Sequence, residues 1–233
     1  MQMQNKAFGL TGNQLKLIAI VLMTVDHIGA YLLPQYVILR YIGRLAMPVF
    51  AWMIAEGCRY TKNRPRYLLT MVGFAAVCQV VYFVFLNSLT QCILVTFSLS
   101  ILLIYVMDYA SKKGNFLSLC LMGGVFIAVA YICVLLPGDL PGTDFHVDYG
   151  LCGVLLPVFI YMGRTKQEKL LLTAAALSVL ANSAGKIQWF ALLSVPLLAL
   201  YNGKRGRKSL KYLFYIYYPA HLAAIYGIAL LLK

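Results

Sequence analysis

Leu15-Lys-Leu-Ile-Ala-Ile-Val-Leu-Met-Thr-Val-Asp-His-Ile-Gly-Ala-Tyr-Leu-Leu33 is almost wholly apolar, yet it carries Asp26 and His27 side by side. A helix crosses the hydrocarbon core of a bilayer in roughly 20 residues, so this stretch is long enough to span. A carboxylate and an imidazole at that depth each cost several kcal/mol unless they are paired or line a wet cavity, which makes the pair a functional-site hypothesis by default.

The rest of the chain agrees with a membrane setting. Of 233 residues 62% are hydrophobic and only 12% are charged, against roughly 25% charged in an average soluble domain. Several further runs approach spanning length, and none alternates polar and apolar residues as a membrane barrel strand does. The expected fold is an all-α polytopic helix bundle forming a single domain over 1–233. Helices are expected at about 15–33, 37–58, 67–86, 92–109, 116–136, 149–163, 169–182, 187–201 and 212–232, so about nine transmembrane helices, within a range of roughly eight to ten. The sixth to eighth look short for a full crossing.

The net charge of +13 sorts by connection. Arg59, Lys62, Arg64 and Arg66 share one, Lys112 and Lys113 a second, Arg164, Lys166 and Lys169 a third, and Lys204, Arg205, Arg207, Lys208 and Lys211 a fourth. The intervening connections, such as Asn87–Gln91 and Pro137–Asp148, are neutral or acidic. The positive-inside rule then puts the basic connections and the amino terminus in the cytoplasm. Membrane lipids or an anionic cytoplasmic ligand account for this charge without nucleic acid.

Cys58, Cys78, Cys92, Cys120, Cys133 and Cys152 are dispersed without C-x-x-C spacing and read as small hydrophobes, with no metal site expected. Phosphate-binding lysine loops, serine-nucleophile elbows and zinc-protease helices are missing from the sequence.

On helix 1, Asp26 and His27 lie roughly 17 Å from the basic end. Arg40 and Arg44 are one turn apart on the next helix, and the short Pro34 connection makes the two helices neighbours. One cavity is expected to gather all four residues, although an Asp26–arginine clamp of purely structural role and arginines snorkelling to headgroups are alternative readings. Glu56 and Arg59 read as an interface pair at i, i+3. His221 follows the helix-kinking Pro219 at a depth of roughly 14 Å and is a candidate for the same cavity. His146 and Asp144 read as solvated loop residues.

The segments Leu15–Gly29, Leu39-Arg-Tyr-Ile-Gly-Arg-Leu-Ala-Met-Pro48, Glu56-Gly57, Asp148-Tyr-Gly150, Tyr201-Asn-Gly-Lys-Arg-Gly206 and Tyr218-Pro-Ala-His-Leu222 together resemble the TraX family, named for the conjugative pilin acetylase. That family is similar to the wider transmembrane acyltransferases that include the acyltransferase-3 enzymes. The chain departs from it at Ala76-Val-Cys-Gln-Val-Val81, where many relatives carry a Ser-Glu-Ile-Pro-like segment.

The resemblance implies a multi-pass protein of the bacterial cytoplasmic membrane that transfers acetyl from cytoplasmic acetyl-CoA to an acceptor at the outer face. The acceptor would be a hydroxyl or amine of an extracytoplasmic glycan, a lipid or a protein amino terminus. It points to Asp26, His27, Arg40, Arg44 and His221 as the polar centre. His27 is then the expected general base and Asp26 its orienting partner, because an imidazole titrates near neutral pH and a carboxylate steadies its cation. Arg40 and Arg44, the second more than the first, would bind an anionic acceptor group or the developing oxyanion. His221 would touch substrate, and Arg59, Arg64, Lys204 and Arg205 would hold the donor's phosphates. Two other classes fit the charged cluster: a transporter or flippase for an anionic or zwitterionic solute, and a non-catalytic membrane scaffold.

Overall fold

The structure, a computed structural model, describes residues 9–206 and 211–232. Its architecture follows from where helices are allowed to start and stop. Helix α1, Gly12–Tyr31, begins three residues earlier than hydropathy alone suggests, because Thr11 and Gln14 form a capping box. The Thr11 hydroxyl accepts the Gln14 amide while the Gln14 side chain accepts the Thr11 amide, so two orphan donors are satisfied at once. The remaining first-turn amides are taken by a loop distant in sequence: Gly12 N donates to the Lys204 carbonyl at 2.8 Å and Asn13 N to that of Arg205 at 3.0 Å. The Tyr201–Gly206 motif thus serves as the cap of α1.

The second expected helix is two. α2, Val37–Gly43, and α3, Ala46–Tyr60, are separated by a break at Arg44 and Leu45. Pro48 supplies the reason, since it has no amide to give the carbonyl four residues back. The bend lets Arg44 face α1. Close approach of α1 and α2 also demands glycine: a Cβ on Gly43 would lie 2.2 Å from Asp26 Cβ and 2.6 Å from Asp26 Cα, and one on Gly29 would lie 2.7 Å from Leu39 Cβ. Small residues at such crossings let backbones meet.

Next come α4, Arg64–Leu86, capped by Asn63, and α5, Ile93–Lys113. α6, Phe116–Asp139, is capped by Asn115 and loosens into a π turn at Tyr131–Leu135. α7 is Gly150–Met162, and α8, Lys166–Ala184, starts at a second capping box formed by Thr165 and Glu168. A 3-10 helix, Lys186–Leu193, runs into the short α9, Ser194–Ala199, and α10 is Lys211–Leu231. Every expected helical segment has a counterpart among these.

Among the described residues, five segments are long and apolar enough to cross a membrane: 12–31, 37–60, 64–86, 93–113 and 116–139. Shorter apolar helices cover 150–162, 186–199 and 216–231. α3 is the central column, with Val49, Ala51 and Cys58 fully buried and Trp52 nearly so. α6 is its opposite, with Phe116, Leu117 and Ile127 among the most exposed apolar side chains, as a lipid-facing helix should be. α10 packs against both α1 and α4, so the last helix closes the bundle beside the first.

Polar contacts at the basic end differ from the sequence expectation. Glu56 does not pair with Arg59; it makes a buried ion pair with Lys169 of α8, and the Tyr201 hydroxyl donates to it at 3.4 Å. Arg59 instead donates to the carbonyls of Tyr161 and Gly163, the latter at 2.9 Å, and so ties α3 to the end of α7. Arg64 pairs with Asp108 at 2.5 Å. Each of these cations has found a partner on another helix that local spacing cannot show. At the opposite end, Asp144 accepts from the Ser88 hydroxyl and, at 2.8 Å, from the Leu89 amide, which fastens the loop after α6 to the α4–α5 turn. Those hydrogen bonds, Ser88 first, hold its carboxyl below the usual carboxylate range.

Two consequences are measurable. Gly43→Ala should lower unfolding stability by about 1–3 kcal/mol through overpacking, whereas Gly73→Ala on α4, with nothing within 4 Å of the added carbon, should cost nothing; denaturant titration in detergent compares them. Lys169→Met strands the Glu56 carboxylate and should cost about 3–5 kcal/mol, with Glu56→Gln added in the same chain recovering part of the loss.

Candidate functional site

The α1 residues Asn13, Lys16, Ile20, Met23 and His27 are spaced three and four apart, which places them on one face of the helix. That face lines two cavities in succession. The larger, about 690 Å³, opens at the basic end and is walled by Asn13, Lys16, Lys62, Tyr67 and Arg205, with Phe50, Met53 and Gly57 contributed by α3. Among the described residues three cations line it against one carboxylate, Glu56, which is already paired with Lys169. Lys16 and Arg205 are close enough to repel one another, so an anion between them would be stabilised.

The smaller cavity, about 340 Å³, contains Asp26, His27, Arg40, Arg44, His146, Asp148 and Tyr149 in its walls. Met23, Phe50, Ile93 and Tyr218 line both cavities. The two spaces are therefore back to back, divided by three apolar side chains and a tyrosine. Along α1 the distance from Lys16 to His27 is about 16 Å.

Asp26, Arg40 and Arg44 form one ion cluster. Arg40 donates one Nη1–H to the Asp26 carboxylate at 2.6 Å and lies 3.0 Å from the Asp26 carbonyl. Arg44 grips the same carboxylate with two nitrogens, Nε reaching Oδ1 at 3.2 Å and Nη2 reaching Oδ2. Asp26 and Arg44 are both buried, each 8% exposed, so this is a charge-assisted pair inside the bundle, with Arg40 at its wetter edge. The clamp joins α1 to α2 and to the break that follows it.

His27 stands apart from that cluster. Adjacent residues on a helix point about 100° apart, and the ring of His27 turns to α10, where its Nδ1 lies 3.0 Å from His221 Nε2. His221 Nδ1 lies 3.0 Å from the Tyr217 carbonyl. One turn earlier, the Thr24 and Tyr217 hydroxyls meet at 2.7 Å, so α1 and α10 are joined by two polar rungs. The side chain hydrogen-bonded to His27 is thus His221, while Asp26 is bonded to Arg40 and Arg44. His221 is 7% exposed and is not among the residues lining either cavity, so it sits behind His27.

Of the four expected phosphate ligands, Arg205 lines the larger cavity; Arg59, Arg64 and Lys204 do not. Lys16 and Lys62 line it and were not singled out from the sequence, although the spacing of Lys16 and His27 along one helix face was there to be read. Asp148 and Tyr149 are the other additions. Tyr149 takes a left-handed backbone at φ 59°, uncommon for a residue with a Cβ, and its ring lies 5.9 Å from the Arg44 guanidinium. Asp148 is held at both backbone ends, its amide donating to the Gln91 carbonyl and its carbonyl accepting from Thr96. Burial pushes its carboxyl up to about 6 against the opposing pull of Arg44. Below that pH the cavity loses a negative charge and its arginines dominate.

Comparison with known proteins adds the following. A family model described as TraX protein matches residues 11–229. A protein of Dichelobacter nodosus, "Probable fimbrial assembly protein FimC, serogroup H1", is 25% identical over 243 residues, covering 91% of this chain and 93% of the relative. "Uncharacterized protein RP591" of Rickettsia prowazekii (strain Madrid E) is 46% identical over 55 residues, covering 24% of this chain and 22% of its own. No solved structure matches. With the family model spanning its helices from first to last, the chain belongs to the TraX protein family.

Proposed function

We propose that the protein is a membrane-embedded acyltransferase that moves an acetyl group from acetyl-CoA in the larger cavity to a hydroxyl or amine acceptor in the smaller one. The observation that carries this reading is the common wall: a cation-lined space and a histidine-bearing space meet at Met23, Phe50, Ile93 and Tyr218. A charged nucleotide end and a small reacting end, separated by an apolar neck, are what a thioester donor requires. A scaffold has no need of either cavity.

The chemistry divides among this chain's residues. Lys16, Lys62 and Arg205 meet the donor's phosphates by charge. His27 Nε2 takes the proton of the acceptor O–H or N–H as the acceptor's lone pair attacks the thioester carbonyl carbon. The C–S bond then breaks, and the departing thiolate takes that proton from His27, so the products are acetylated acceptor and CoA thiol. Arg40 is better placed than Arg44 to steady the oxyanion between these steps. Arg44 spends two nitrogens on Asp26, whereas Arg40 spends one and keeps 28% of its side chain exposed. Asp26 acts by fixing both arginines.

On this reading the basic end faces the cytoplasm of a bacterial cell, where acetyl-CoA is available, and the smaller cavity faces outward. The kinship with acyltransferase-3 enzymes belongs to the same proposal. The relative's name as a probable fimbrial assembly protein and the family's namesake favour a pilin-type amino terminus as acceptor; an extracytoplasmic glycan or lipid headgroup would present the same kind of nucleophile.

The test is purified protein in nanodiscs, supplied with an envelope fraction as acceptor and followed by release of CoA thiol. His27→Ala should lower turnover by about 10²–10⁴-fold while the protein still folds. Unchanged turnover in a folded His27→Ala variant would contradict the assignment.

A further inference from the structure

His221 touches neither cavity, and nothing in the acyl-transfer scheme uses it, yet it is buried and hydrogen-bonded at both ring nitrogens. Its bonds can be read for proton positions. The Tyr217 carbonyl accepts and cannot donate, so His221 Nδ1 carries a hydrogen. A neutral imidazole has one N–H, which leaves His221 Nε2 bare. The neighbour of that bare nitrogen at 3.0 Å is His27 Nδ1, which must then be the donor. His27 therefore holds its single proton on Nδ1 and keeps Nε2 as an unprotonated lone pair.

The neutral form of His221 follows from its surroundings. Its ring packs against Tyr217 at a centroid distance of 5.2 Å and against Tyr218 at 5.4 Å. Asp26, the carboxylate beside His27 in sequence, is taken up by two guanidinium groups, and among the described residues no carboxylate is hydrogen-bonded to either imidazole. An imidazolium buried here would lack a counter-charge, at a cost of several kcal/mol.

We infer that His221 is a positioning residue: through the chain Tyr217 carbonyl, His221, His27 it fixes the tautomer and ring orientation of His27 and leaves His27 Nε2 as the basic nitrogen. A partner that holds the far nitrogen of a working histidine decides which nitrogen works. The Thr24–Tyr217 rung keeps α10 in register with α1, so the carbonyl that starts the chain is itself held. The assignment of protons stands on geometry; its catalytic meaning rests on the proposed function.

Nitrogen-15 solid-state NMR of histidine-labelled protein in nanodiscs, with His27→Ala and His146→Ala spectra for assignment, reads the tautomers directly. At neutral pH both His27 and His221 should show protonated Nδ1 and bare Nε2. A His27 protonated on Nε2 overturns the inference, whatever the activity. Kinetics supplies the second arm. His221→Gln offers an amide oxygen where Nε2 stood and should keep thiol release within about threefold of the parent, while His221→Leu should lose about 10–100-fold, the usual cost of removing such a partner. Equal loss in both variants would mean that His221 serves packing alone and would also overturn the positioning role. A parent protein without turnover, but with the expected tautomers, would count against the acyltransferase reading and leave the proton assignment standing.

Discussion

The Asp26 carboxylate, held by Arg40 and Arg44, is the interaction on which the rest of the site depends. Charges inside a bundle persist only when each is answered, and removing one partner of a buried set leaves the others exposed to a cost of about 3–5 kcal/mol. Every feature around the cluster serves that requirement. Pro48 breaks the second span so that Arg44 can turn inward, Gly43 lets the α2 backbone lie against Asp26, and Gly29 gives the hairpin its close crossing. The cluster also determines what His27 can do. With Asp26 committed to arginines, the imidazole takes its partner from α10, and the first and last helices of the chain become one unit.

That unit organises the interior along a single stripe. Lys16 stands at the charged end of α1, Met23 at the apolar neck and His27 in the smaller cavity, about three turns of helix in all, and the Tyr201–Gly206 loop caps the start of the stripe while delivering Arg205 to the larger cavity. One loop thus does two things: its Lys204 and Arg205 carbonyls complete the helix, and its Tyr201 and Arg205 side chains line the space beside it. The π turn in α6 and the exposed apolar surface of that helix lie away from this stripe, which fits a lipid-facing role for α6.

Much of this was legible in the sequence, and what was not has physical causes. Hydropathy located the helical segments, because burying backbone in lipid leaves few alternatives to helix. It set the starts of α1 and α8 three residues late, since Thr11, Gln14, Thr165 and Glu168 are polar and their signal is capping rather than hydropathy. It kept 37–58 as one helix because an apolar run hides a proline break. Asp26 with Arg40 and Arg44 could be anticipated from a short hairpin. Glu56 with Lys169, Arg64 with Asp108 and His27 with His221 could not, because those partners are separated by 113, 44 and 194 positions and only the packed bundle brings them together. Local spacing offered Arg59 to Glu56, and tertiary packing offered each of them something better.

The central claim is that the two cavities, which meet at Met23, Phe50, Ile93 and Tyr218, work as donor and acceptor sites of one reaction. Ile93→Trp enlarges a side chain of the wall they share and leaves Lys16, Arg205 and His27 themselves unsubstituted. Measured in one nanodisc preparation, this variant should bind CoA about as tightly as the parent by calorimetry, while acetyl-CoA consumption falls by about tenfold or more as the thioester is kept from its reacting position. Full consumption by Ile93→Trp, or no CoA binding by the parent protein, would contradict the account.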